Sequence, residues 1–123
     1  ADAGAEASKI FTSLKTAAEV DQIAWNIWQM INSGALPEEV DAQQLYNTAL
    51  TACETKLPQL KDAQQRASML DTTAHLLGSL GKLDRAIELE QEAIKLANGQ
   101  NREFMKQYLE ELKELKDTAS GGK

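Results

Sequence analysis

Residues 66–97 read RASMLDTTAHLLGSLGKLDRAIELEQEAIKLA, and their spacing predicts two helices meeting at Gly81. Leu70, Ala74 and Leu77 recur at the three- and four-residue intervals that place side chains on one face of a helix. Beyond the glycine, Ala86, Ile87, Ala93, Ile94 and Ala97 do the same. Gly81 can take positive φ without a Cβ clash, which suits a helix C-terminus and a sharp reversal. Ala74 on one stripe and Ala86 and Ala93 on the other are small enough for close approach. An antiparallel helix pair follows.

Working outward, local stop and start signals predict three more helices. Thr16 and Glu19 have capping-box spacing, so the first helix begins near Ala17 and carries Val20, Ile23, Ala24, Ile27 and Ile31 as its stripe. It stops at Ser33-Gly34. Pro37, within the segment Ala35 to Asp41, suits a first helical turn. The second helix carries Ala42, Leu45, Tyr46, Ala49, Leu50 and Cys53 and ends before Pro58. After a link from Pro58 to Lys61, Asp62 and Gln65 repeat the capping spacing and open the third helix near Ala63. Asn98-Gly99 closes the fourth. Asn101 is then expected to cap a fifth, amphipathic helix with Phe104, Tyr108, Leu112 and Leu115 as its apolar stripe. Residues 1–15 are expected to be a flexible lead with a short helical turn at Ile10, Phe11 and Leu14. Residues 16–117 form the helical domain, and 118–123 a disordered tail.

The two halves of this domain match. Ala42, Tyr46, Ala49 and Leu50 precede Ala86, Glu90, Ala93 and Ile94 by 44 residues each. Val20, Ile23, Ala24 and Ile27 precede Leu70, Thr73, Ala74 and Leu77 by 50, so the first unit has a longer inter-helix loop containing Leu36-Pro37-Glu38-Glu39. With Gly81, Ala86 and Ala93 at its small positions, the second unit resembles a tetratricopeptide repeat (TPR), a helix hairpin of about 34 residues. Against that pattern Leu70 stands for the usual tryptophan, Thr73 for a leucine of the first helix and Glu90 for an aromatic of the second. The resemblance implies an all-α fold of two TPR-like antiparallel hairpins plus a C-terminal capping helix. Repeat arrays need such a terminal element with one polar face. It also implies that the first helices of the units line a concave face, with Trp25 level with His75. The stretch DTTAHLLGSLGKLDRAIELEQEAIKLA further resembles the helical segment that follows the thioredoxin-like domain in some bacterial redox proteins. That likeness implies a redox domain of the same parent chain, or its client, as partner. Without a CxxC this chain could not carry out disulfide exchange alone.

Composition sets the outer limits. The 123 residues suffice for one domain with its own core, and the hydrophobic (42%) and charged (26%) fractions are those of a soluble globular chain. Ala, Leu, Gln, Glu and Lys outweigh β-branched and aromatic residues, which favours helix. A net charge of −6 with dispersed Lys and Arg argues against nucleic acid. No apolar run is long enough to span a bilayer, and the small, polar first ten residues do not read as a signal peptide. The chain does not open on Met, as expected of a mature form or an excised piece. One cysteine excludes an internal disulfide.

Four residues stand out as partner-binding candidates. Trp25 and Trp28 lie three apart on the first helix, offset from its aliphatic stripe, and offer a stacking wall for a peptide or flat ligand. The bland reading packs both rings against a neighbouring segment. Asp71 and His75 lie four apart in the favourable acid-before-base order, which reads as a groove ion pair. An Asp that orients a catalytic imidazole would have the same spacing, with Cys53 as the only thiol available. Cys53 instead falls on a core stripe, so no catalytic residue is assigned. One His and one Cys make no metal-ligand cluster, isolated glycines make no phosphate loop, and no cofactor is expected. The groove positions Asp21, Trp25, Asp71 and His75 contradict a TPR of the kind that grips a terminal carboxylate with Lys, Arg and Asn. The expected function is a protein–protein or domain–domain interaction module that binds a peptide or partner domain on the concave face, and not an enzyme. The rival is a structural or self-associating helical domain, such as a weak homodimer.

Overall fold

The computed structural model of the chain describes residues 16–34 and 41–119. Its first helix starts from a reciprocal cap: Thr16 Oγ1 accepts from the Glu19 N–H at 3.2 Å, and the Glu19 carboxylate accepts from the Thr16 N–H at 3.1 Å. Helix α1 (Ala17–Asn32) follows, then α2 (Ala42–Lys56) and a 3-10 turn (Leu57–Gln59). The chain continues into α3 (Ala63–Ser79), α4 (Leu83–Leu96) and α5 (Gly99–Ala119). Carboxylates cap two of these starts. Asp41 accepts from the Gln44 N–H at 3.2 Å and Asp62 from the Gln65 N–H at 2.9 Å. The fold is all-α, with five helices and no strand among the described residues.

At the α3–α4 junction Gly81 takes φ +81°, a conformation a Cβ would oppose. The Lys82 N–H reaches the Leu77 carbonyl at 2.9 Å, and the Gly81 N–H reaches Gly78 at 3.1 Å. This Schellman pair satisfies the last carbonyls of α3. Only Leu80 to Lys82 separate the two helices, so α4 packs straight back along α3 and forms the most extensive helix contact of the chain.

Small side chains fill the seams. Ala24, Ala49, Ala74, Ala86 and Ala93 are all fully buried, while Ala42 is half-buried. Helix α3 is the centre, packed against α1, α2 and α4, and Thr72 to Leu77 are buried without a break. A helix buried around most of its circumference must hide its polar groups, and Thr73 does so by donating to the Met69 carbonyl at 2.7 Å. Each fully buried leucine, such as Leu70 or Leu76, contributes about 1.5–3 kcal/mol from apolar burial.

Three expectations need correction. Helix α5 begins at Gly99, so Asn101 lies inside its first turn and does not cap it. Its buried side chains are Met105, Leu109 and Leu112, whereas Phe104 and Leu115 are 56% and 53% exposed. Two stripes run along this helix and share Leu112. Packing against α4 selects the one through Met105, and Tyr108 falls half-buried at its edge. The helix also runs on to Ala119, two residues into the segment read as tail. The lead over residues 1–15, the turn with Pro37 and the last four residues lie outside the described residues.

Candidate functional site

Three helices converge on an aromatic cluster. Trp25 and Trp28, one turn apart on α1, stack with ring centroids 4.9 Å apart. His75 of α3 meets both in T-shaped contacts, at 4.8 and 4.6 Å and near right angles. On its other side the imidazole lies parallel to Tyr108 of α5, with centroids 3.6 Å apart. Stacked and edge-on rings each add about 0.5–1.5 kcal/mol beyond their buried area. Gly78 makes room for this arrangement, since a Cβ there would lie 2.6 Å from the Tyr108 hydroxyl oxygen.

The expected residues therefore come together, in two different settings. Trp28 donates its indole N–H to Ser79 Oγ at 3.1 Å and packs against the core. Trp25 is backed by Trp28 and lines the surface cavities described below. His75 Nδ1 lies 2.8 Å from the Asp71 carbonyl and 3.3 Å from Asp71 Oδ1. A carbonyl can only accept, so Nδ1 carries the hydrogen. The expected Asp71–His75 pair is present, with the hydrogen bond going to the backbone carbonyl and the carboxylate alongside at 3.3 Å.

Beneath the rings lies a group missed in the sequence reading. Glu90 of α4 is fully buried, and neither carboxyl oxygen meets a donor; Asp71 Oδ1 is equally buried and accepts no hydrogen bond, with the His75 ring nitrogen 3.3 Å away. Burial first, and then hydrogen bonding to and repulsion from Asp71, raises Glu90 far above its ordinary 4.5. A proton held on Glu90 supplies the donor that these buried oxygens otherwise lack. Burial, and next the nearness of Glu90, also pushes the Tyr108 phenol upward. The available signal was an acid in register with Ala86 and Ala93 on a stripe of small residues. Tyr108 was visible as an apolar position of the last helix, but periodicity within α5 does not report contact with α3.

Two cavities open along this face. One of about 470 Å³ is bordered by Asp21, Gln22, Trp25, Gln65 and Thr72, among others. The other, about 330 Å³, is bordered by Trp25, His75, Asn101, Phe104 and Tyr108. Trp25, Gln64, Ser68 and Asp71 line both, so the two form one groove along α3 between α1 and α5. Asp21 fastens α1 to α3 by accepting the hydroxyls of Ser68 and Thr72.

Cys53 is fully buried in the core. Burial, then the charge of Asp21, pushes its thiol up to about 12, the opposite direction from an activated nucleophile. Among the described residues no three His, Cys, Asp or Glu side chains are grouped to hold a metal ion. No described helix is long and apolar enough to cross a membrane. Comparison with protein families, with curated proteins and with solved structures found no match for this chain.

Proposed function

We propose that the chain is a TPR-like interaction module that holds an extended segment of a partner protein along the outer face of α3. The observation that carries this reading is the continuity of the two cavities through Trp25, Gln64, Ser68 and Asp71. Trp25 is fixed from behind by Trp28 and from the side by His75, so little ordering remains to be done when a partner docks. Carboxamides along the groove (Gln22, Gln64, Gln65 and Asn101) can each donate and accept, as an extended peptide backbone requires. A redox domain as partner rests only on the resemblance over residues 71–97.

Random peptides displayed on phage and selected on the folded protein test the reading. Selected peptides should shift the tryptophan emission, and Trp25→Ala should weaken them about tenfold or more, as for an aromatic hot spot. Peptides that bind the Trp25→Ala variant undiminished would place recognition elsewhere.

A second reading has one observation in its favour. Phe104 and Leu115 are both more than half exposed and eleven residues apart on α5, hence on one side of that helix. Such a stripe fits a self-associating structural domain. Sedimentation decides: dimers that appear with concentration and dissociate on Phe104→Gln with Leu115→Gln favour this rival.

A further inference from the structure

We infer that the groove takes an arginine side chain of its partner, with the guanidinium laid on Trp25 and directed toward Asp71. This rests on the groove reading above and specifies its ligand chemistry. Two carboxylates, Asp21 and Asp71, stand on the groove walls, and no Lys or Arg lines either cavity among the described residues. The Asp71 side chain keeps 21% of its surface in solvent there, while its Oδ1 turns inward. One face of the Trp25 ring is covered by Trp28, and the ring borders both cavities, which places an aromatic surface beside a carboxylate.

Guanidinium fits this combination better than the other cations. It is planar and weakly hydrated, stacks on indole, and directs five N–H donors in one plane. Acceptors are at hand: the Asp71 carboxylate, Ser68 Oγ, and Gln64, whose amide nitrogen is turned to the Leu96 carbonyl at 3.0 Å so that its oxygen remains. A quaternary ammonium could stack but would leave those acceptors unused. A lysine ammonium could pair but would lack the flat face.

The test is an NMR titration of the ¹⁵N-labelled protein with four capped pentapeptides, acetyl-GGXGG-amide with X as Arg, Lys, Phe or Glu, and with tetramethylammonium chloride. The Trp25 indole N–H should shift saturably with the arginine peptide, about fivefold to tenfold more tightly than with lysine, and the affinity should fall as salt is added. Trp25→Leu and Phe104→Ala change the lining without touching the buried carboxyl pair, and Trp25→Leu should abolish the preference for arginine. Asp21→Asn should weaken arginine binding more than it weakens phenylalanine binding. Tighter binding of the phenylalanine or glutamate peptide at the same indole would overturn the arginine assignment and leave the groove reading standing. Preference for tetramethylammonium would make the site a cage for alkylated ammonium and also overturn it. Silence of the Trp25 indole toward all five probes, in a protein whose spectrum shows it folded, would overturn both.

Discussion

Tyr46 on α2 and Glu90 on α4 stand 44 residues apart, at places where the two stretches of sequence align. Both are buried, at 7% and 0% exposure. The first place is filled by a ring, as helix packing favours. The second is filled by a carboxyl whose oxygens meet no donor and which must hold a proton at neutral pH. The half of the chain with the best-packed helix, α3, is thus the half that carries a destabilising group. That group sits directly behind the residues that face the groove. Stability and site properties are distributed unequally, with α3 supplying both.

The largest expected effect tests whether α3 is the centre. Leu70→Ala should cost about 3–5 kcal/mol in urea unfolding, and its matched position, Val20→Ala on α1, about 2 kcal/mol. Equal costs would break the contrast between the halves.

Glu90 gives the next effect, and it depends on pH. The folded chain holds a proton that the unfolded chain releases above about pH 4.5. The folded form is therefore favoured most below that value and loses stability as pH rises through neutrality. Glu90→Gln should remove this slope and stabilise the protein by about 1–3 kcal/mol at mildly alkaline pH. Parallel pH–stability curves for variant and parent would show that the carboxyl is not held protonated.

A smaller loss is expected at Gly78. An added Cβ there must displace the Tyr108 hydroxyl from 2.6 Å, and the ring is held by His75. Overpacking outweighs the gain in helix propensity, leaving Gly78→Ala about 1–2 kcal/mol less stable by thermal unfolding. A more stable variant would mean that α5 can slide away from α3. Thr16→Ala should cost about 1 kcal/mol through the lost cap, a loss confined to the start of α1 and detectable as faster amide exchange there.

Features encoded within a few consecutive residues were legible. The caps at Thr16 and Asp62 and the reversal at Gly81 depend on neighbours three or four positions away, and all three stand where expected. Trp25 was expected level with His75, and the two rings do meet, 4.8 Å apart. Features that depend on how helices approach were not. The stripes through Phe104 and through Met105 are equally periodic, and only the approach to α4 buries the second. Glu90 and Tyr108 join the site because α4 and α5 fold back over α3, which no spacing within either helix reports.

Cys53 turns this architecture into its own reporter. A thiol pushed up to about 12 is almost wholly unionised at neutral pH, and it lies sealed in the core. Iodoacetamide should therefore alkylate it only during excursions that part α2 from its neighbours, at a rate proportional to how often they occur. Comparing that rate with global unfolding would show whether the first helix pair breathes while the second stays shut.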